Sequence, residues 1–186
     1  MGTPDTIYRR EGASWLIELK LADARQLFNT LDPAPFHGKD LDSTAEHYIV
    51  GAAREFPLQA PVKLVFHLPP AAVDTEAARS IPEAIANYFT YRAAVKGQEL
   101  RNTLREGRIA LLIGVSFLFL CIVARRFVAL LGDGLVSGIL EEGLLISGWV
   151  AMWRPIEIFL YQWWPIGRTR RVLTKLSRAP VEVRPL

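Results

Sequence analysis

The chain of 186 residues contains only one cysteine and three histidines, which limits the disulfides and the cysteine- or histidine-based sites that it can form. Because Cys121 has no second cysteine to pair with, no disulfide within the chain can stabilise the fold. The sequence also contains no glycine-rich phosphate loop, no Gly-x-Ser-x-Gly motif and no dinucleotide-binding turn. We therefore expect a protein that is not an enzyme and binds no cofactor or metal.

Positive charge is scarce in the first half of the chain and concentrated in two later stretches. Residues 1–95 carry a net charge of −3, residues 96–108 of +2, residues 125–142 of −1 and residues 154–186 of +5. Residues 1–12 also lack the apolar core of a secretory signal. Since the last basic stretch follows an aromatic run, we expect it to contact anionic lipid rather than nucleic acid.

Two segments of the first half alternate apolar and polar residues with the period of a half-buried strand. Trp15, Ile17 and Leu19 share one face of residues 14–21, and residues 61–68 show the same alternation. Because a sheet of two strands is only marginally stable, we expect a further strand near residues 6–10 or pairing with a second copy of the chain.

Helical spacing of apolar residues separates the two predicted strands. Ser43 followed by Glu46 forms a capping box, which predicts the start of this helix, although Asp42 is an alternative cap. A second signal, Ser80-Ile81-Pro82-Glu83, predicts the start of another helix. The first half is thus predicted to be a β-α-β-α domain.

A long uncharged run dominates the second half. Residues 109–124 contain 16 residues without a charge, which as a helix span about 24 Å, against ~30 Å for the hydrocarbon core of a bilayer. Arg108 and Arg125 flank the run and can extend to the headgroups. Because residues 143–153 are also apolar, we predict a transmembrane helical hairpin with its turn at residues 132–134.

Four charges flank this turn, namely Arg125, Arg126, Glu141 and Glu142. In an antiparallel pair of helices centred on Asp133, Arg125 and Glu141 lie at the same height, and Arg126 and Glu142 lie close to it. Isolated charges deep in lipid cost several kcal/mol each. We therefore predict two opposed charge pairs at the tip of the hairpin.

Small and aromatic residues of the second span define two further surfaces. A helix-packing face of small residues, on which another helix can come close, consists of Gly143, Ser147, Gly148 and Ala151. Aromatic side chains, which favour the headgroup region, are expected to anchor the chain at the membrane surface, and they are Trp149, Trp153, Tyr161, Trp163 and Trp164.

The predicted fold class is α+β, with a small cytoplasmic domain, a stalk helix and a membrane hairpin. The domain covers residues 1–80, the stalk 81–108 and the hairpin 109–153, and residues 154–186 form an interfacial aromatic segment with a basic cytoplasmic tail. Arg154-Pro155 is expected to end or kink the second span. Because the basic stretches lie on the two outer flanks of the hairpin, both termini are predicted to face the cytoplasm.

A polar segment offers the strongest candidate for chemistry. It contains His37, Asp40, Asp42, Glu46 and His47, and His67 is the remaining histidine. Histidine with carboxylates can bind a divalent metal, but the spacing matches no established metal motif. Helix capping and a solvated surface explain these residues more simply.

Residues 27–57, LFNTLDPAPFHGKDLDSTAEHYIVGAAREFP, and residues 148–173, GWVAMWRPIEIFLYQWWPIGRTRRVL, resemble an uncharacterised family of small bacterial inner-membrane proteins with two transmembrane helices. The resemblance implies placement in the bacterial inner membrane, and it implies no activity.

Three functions remain open. The favoured one is a non-catalytic inner-membrane anchor or scaffold whose cytoplasmic domain self-associates or binds an unidentified protein partner. A homo-oligomeric pore or transport component is the alternative, although the spans offer small residues rather than a polar stripe. A membrane-tethered metal-dependent enzyme using residues 37–47 is the third.

Overall fold

The structure is a computed structural model, which describes residues 8–29, 40–130 and 134–186. Two compact units make up the chain. The sheet unit combines the described residues up to Lys96 with Arg168–Leu186, and the hairpin unit is Gly97–Gly167.

Within the described residues, the sheet unit is built on a mixed sheet of four strands in the order β1-β2-β3-β4. The strands are β1 (Arg10–Glu11), β2 (Ser14–Lys20), β3 (Val62–Leu68) and β4 (Val181–Pro185). β1 runs antiparallel to β2, whereas β2, β3 and β4 are mutually parallel. The two predicted strands are present and β1 supplies the further strand, but β4 was not predicted.

Alternation along the strands places apolar side chains on one face of the sheet. Ile17 of β2 lies beside Leu64 of β3, and Phe66 of β3 lies beside Val183 of β4. A short 3-10 helix (Ala24–Leu27) follows β2 and buries Leu27. These residues belong to one core cluster with helical residues that pack over the same face.

Helix α1 (Ser43–Glu55) begins one residue earlier than the capping box requires. Asp42 is the cap, because its Oδ1 accepts hydrogen bonds from the backbone N–H of Thr44 at 2.8 Å and of Ala45 at 3.4 Å. These bonds hold the pKa of Asp42 below its ordinary value. The predicted Ser43 capping box is therefore wrong, and Glu46 is free to bind elsewhere.

The long helix also begins earlier than predicted. A four-residue helix, α2 (Pro70–Val73), precedes α3 (Glu76–Ala129). Thr75 Oγ1 accepts from the N–H of Ala78 at 3.2 Å and so caps α3. The signal at residues 80–83 lies inside the helix, where Pro82 removes one backbone hydrogen bond without ending it.

Residues 168–186 are not a free tail. Helix α6 (Trp163–Ser177) buries Val172, Leu173 and Leu176 in the core of the sheet unit, and β4 then adds a parallel strand beside β3. The predicted basic tail is therefore wrong for this part of the chain. The segment packs into the core because it is an amphipathic helix, with basic residues on its outward face and apolar residues on the other.

The hairpin unit pairs the second half of α3 with α4 (Leu135–Ala151), α5 (Trp153–Glu157) and a π-helical turn at Ile158–Gln162. Helical turns continue from Leu135 to Ser177. Pro155 therefore does not end the helical segment, but the regular α-helix is interrupted on both sides of it, at Met152 and in the π-helical turn.

Close contacts at glycine fix the antiparallel register of the hairpin. A Cβ on Gly148 would lie 2.7 Å from Leu118 Cδ1, one on Gly114 would lie 2.9 Å from the carbonyl oxygen of Ala151, and one on Gly107 would lie 2.8 Å from Ile158 Cγ2. Each contact joins positions about equally far along the chain from the turn predicted at residues 132–134. Ile158 is fully buried, so the pairing extends past Pro155.

Candidate functional site

The hairpin unit presents apolar side chains outward. In the most apolar 18-residue windows of the two long helical segments, only 17% and 6% of residues are buried. A core helix of a soluble protein would bury most of such a window. Both helices are long and apolar enough to cross a membrane. Exposed apolar residues of the first helix include Leu112, Ile113, Phe119 and Leu120, and those of the second include Ile139, Ile146 and Val150.

An ion pair closes the end of the hairpin near the turn. Arg125 Nε lies 3.3 Å from Glu141 Oε2, the pairing that the sequence predicts. Among the described residues, no ion pair joins Arg126 to Glu142. Asp133 lies outside the described residues. The structure thus brings together one of the two predicted charge pairs.

A second group of charges closes the opposite end, and sequence reasoning missed it. Arg154 Nη2 lies 2.9 Å from Glu106 Oε1, and Arg154 Nη1 lies 3.3 Å from Glu157 Oε2. The partner of Arg154 across the hairpin is therefore Glu106. A search for charges equidistant from the turn would not have found it, because Arg154 lies 21 residues after position 133 and Glu106 lies 27 before it.

The predicted small-residue face divides between two surroundings. Gly148 and Ala151 pack against α3, where Gly148 contacts Leu118 and Ala151 contacts Gly114. Gly143 and Ser147 are exposed, and a Cβ on Gly143 would meet nothing within 4 Å. The seam of the hairpin also uses Gly114, a small residue of the first apolar run that suits close packing, and Gly107, which was not predicted to pack against a helix.

The aromatic residues predicted as interface anchors are all exposed. They are Trp149, Trp153, Tyr161, Trp163 and Trp164. Trp163 donates its indole N–H to the carbonyl oxygen of Phe159 at 2.7 Å. Their exposure leaves them accessible to a bilayer surface, and their role as interface anchors stays a prediction.

The polar segment around α1 is held by structural bonds. Glu46 accepts from the Tyr88 hydroxyl at 2.7 Å and pairs with Arg92 at 2.7 Å, which ties α1 to α3. Burial and the bond to Glu46 raise the pKa of the Tyr88 hydroxyl. Across the residues that the structure describes, no group of three or more histidine, cysteine, aspartate or glutamate residues could hold a metal ion.

The other candidate residues have different surroundings where the structure describes them. His67 Nε2 of β3 lies 3.0 Å from Glu18 Oε1 of β2. His47 lines a cleft beside α1, Asp40 follows the undescribed residues 30–39, and His37 lies outside the described residues.

A lattice of ion pairs joins three strands on the other face of the sheet. Arg184 Nη2 lies 2.6 Å from Glu11 and 2.8 Å from Glu182, and Lys63 Nζ lies 2.6 Å from Glu182. Arg184 first, and then Lys63, lower the pKa of Glu182 to about 2. This lattice fastens β4 to the sheet. In the sequence, only the alternation of Val181 and Val183 with charged residues indicated this strand.

Comparison of the chain with protein-family models, with curated proteins and with solved structures finds no match in any of the three.

The Arg125–Glu141 pair gives a test of the hairpin geometry. We expect Arg125→Glu and Glu141→Arg each to lower stability in detergent, and the double exchange to recover much of the loss. The coupling should be at least ~0.2–1 kcal/mol, the range of exposed pairs, and larger if the pair lies at the edge of a bilayer. Melting temperatures of the parent, the two single variants and the double exchange measure it.

The control for this test is the neighbouring set Arg126→Glu, Glu142→Arg and their double exchange. Since no ion pair joins these two residues in the described chain, their effects should add. Additive effects in the Arg125–Glu141 set as well would show that the first pair does not form.

Proposed function

We propose that the protein is a non-catalytic anchor of the bacterial inner membrane, in which the hairpin unit spans the bilayer and the sheet unit acts in the cytoplasm. The carrying observation is the distribution of charge and apolar surface on the hairpin unit. Exposed apolar side chains cover both helices, and ion pairs stand at its two ends.

The spacing of these ion pairs supports membrane insertion. Glu106 and Arg125 are 19 residues apart on α3, which at ~1.5 Å per residue is about 28 Å. A hydrocarbon core is ~30 Å thick. Paired carboxylates and guanidinium groups at both boundaries avoid the cost of isolated charges in lipid.

The composition of the sheet unit supports an even number of spans. It contains the chain on both sides of the hairpin, because β4 and α6 pack with β3 and α3 in one core. Segments that share one core cannot lie on opposite sides of a bilayer. The excess of arginine and lysine next to the hairpin, at residues 96–108 and 154–186, favours the cytoplasmic side.

Scaffolding, self-association or capture of an unidentified partner is the role proposed for the sheet unit. Glu46, the best-connected carboxylate of the polar segment, is engaged by Tyr88 and Arg92, which suits a structural role better than catalysis. The exposed Gly143 and Ser147 suit a helix of a second copy, so the homo-oligomer stays a prediction.

Topology tests the proposal. Reporter fusions at residue 3 and after Leu186 should both give cytoplasmic signal, and a reporter inserted at Asp133 should give periplasmic signal. A periplasmic signal from either terminus, or a cytoplasmic signal from position 133, would contradict a membrane-spanning hairpin with both flanks in the cytoplasm.

A further inference from the structure

A cleft in the sheet unit collects positive charge where three helices meet. Its volume is about 290 Å³, and α1, α3 and α6 form its walls. The polar side chains that line it are Glu46, His47, Arg54, Arg92, Lys96 and Thr169. We call this site the basic cleft, and neither the membrane hairpin nor the anchoring role uses it.

The charges of the basic cleft do not cancel. Arg54 and Arg92 bring two guanidinium groups to its walls, against the single carboxylate of Glu46, and Lys96 also lines it. Glu46 is already bound, because it accepts from the Tyr88 hydroxyl and pairs with Arg92. An anion in the cleft would therefore meet a net positive lining.

Arg54 is the group best prepared to bind an anion. Its Nη2 donates to the hydroxyl oxygen of Thr169 at 3.2 Å, so α6 orients the guanidinium without neutralising it. Within the described residues, no carboxylate lies within 4.0 Å of this guanidinium. A guanidinium held in this way keeps N–H donors for an incoming ligand.

The chemistry of the cleft suits a multiply charged anion such as phosphate. Planar guanidinium groups bind the oxygens of a phosphate in pairs, and a lysine ammonium adds a point charge. Ligand pockets commonly measure about 300–1,000 Å³, so the cleft suits a compact phosphate-bearing group rather than a dinucleotide.

We propose that the basic cleft binds a phosphate group through Arg54, Arg92 and Lys96, carried either by a soluble phosphorylated small molecule or by the headgroup of an anionic lipid. This inference does not depend on the proposed anchoring function, because every residue of the cleft belongs to the sheet unit.

Inorganic phosphate and pyrophosphate are the probes for the first experiment. The full chain in uncharged detergent is titrated with each, and the melting temperature and calorimetric heat are recorded, because a ligand of the folded state raises stability. Saturable binding is expected. Arg54→Gln should weaken it by about tenfold or more, which corresponds to ~1.4 kcal/mol.

The matched control is Arg170→Gln, which removes the same charge from an exposed position of α6 outside the cleft. It should bind both probes as the parent does. Lys96→Gln provides a second cleft variant if Arg54→Gln fails to fold. Absence of saturable binding in the parent, or equal weakening by Arg170→Gln and the cleft variants, would overturn the proposal.

The second experiment identifies the source of the phosphate. The chain is reconstituted in phosphatidylcholine nanodiscs with and without phosphatidylglycerol, and pyrophosphate binding is measured again. Phosphatidylglycerol can compete with pyrophosphate only if its headgroup enters the cleft. If it weakens pyrophosphate binding to the parent, and this weakening disappears in Lys96→Gln, the cleft is assigned to a lipid headgroup. Unchanged binding assigns it to a soluble phosphate compound. If neither pyrophosphate nor phosphatidylglycerol distinguishes the parent from the cleft variants, the proposal is wrong.

Discussion

We expect replacement of Leu176 by alanine to lower the free energy of unfolding of the sheet unit by roughly 2–5 kcal/mol, the usual cost of truncating a buried leucine. Leu176 is fully buried and belongs to the same core cluster as Ile17 and Phe66. The substitution removes apolar contacts and leaves a cavity between α6 and the sheet. A lipid-bound tail, as the sequence predicted, would instead tolerate the change.

Hydrogen exchange of β3 is the direct measurement. Because β3 lies between β2 and β4, the amides of Val62–Leu68 report on the sheet unit and not on the hairpin. Their protection should fall in Leu176→Ala as the sheet unit opens more often. A fall in the melting temperature in detergent should accompany it.

The control for this prediction is Arg170→Ala on the same helix. Arg170 is exposed, so its replacement should change stability by no more than about 0.5 kcal/mol. Unchanged exchange in β3 for Leu176→Ala, or equal effects of the two variants, would mean that α6 does not pack in this core.

Local periodicity predicted the elements whose patterns are complete within a few residues. The strands at 14–21 and 61–68 show a period of two and are present as β2 and β3. Helix boundaries were less accurate, because Asp42 and Thr75 compete with the more familiar signals at Ser43 and Ser80. Several residues in sequence can cap a helix, and only the backbone geometry selects one.

The C-terminal part of the sheet unit was missed because its charge concealed its pattern. Val172, Leu173 and Leu176 lie on one helical face, but five arginine or lysine residues in the same stretch, from 168 to 178, suggested a lipid-binding tail. The pairing of β4 with β3 also joins residues more than one hundred positions apart. Such long-range pairing leaves no signal in a local window.

The hairpin register followed from the chain itself, whereas its packing seam did not. Equal spacing from the turn correctly placed Arg125 opposite Glu141. The seam depends on which face of each helix meets the other, and that choice lies in two glycines spaced by seven residues, Gly107 and Gly114. Only Gly114 lies within the apolar run, so a heptad search would have indicated the face only if it began before the run.

Substitution in the same seam is expected to have the second large effect on stability. Gly148 and Ser147 are neighbours in sequence, but Gly148 packs against α3 and Ser147 is exposed. We expect Gly148→Leu to disrupt the hairpin. Its Cβ would lie 2.7 Å from Leu118 Cδ1, which can rotate away, but also 3.3 Å from Cys121 Cβ and 3.4 Å from Leu118 Cα, so we expect the rest of a leucine side chain to push α3 and α4 apart. Overpacking of this kind costs ~1–3 kcal/mol, and more where backbone must move.

Helix propensity acts in the opposite direction, which makes the test stringent. Replacing glycine with leucine lowers the free energy of forming an isolated helix by roughly 1 kcal/mol. A loss of stability in Gly148→Leu therefore reports packing between α3 and α4 rather than a weaker helix. Gly114→Leu, which meets the carbonyl oxygen of Ala151, should produce the same loss from the other side of the seam.

Ser147→Leu is the matched control, since Ser147 is exposed and outside the seam. It adds the same side chain one residue away and should leave the folded hairpin intact, as measured by melting temperature and by protease resistance in detergent. If a second copy binds the Gly143–Ser147 surface, Ser147→Leu should instead lower the oligomeric mass without lowering the stability of the monomer. Equal destabilisation by Ser147→Leu and Gly148→Leu would show that the hairpin does not pack through this seam.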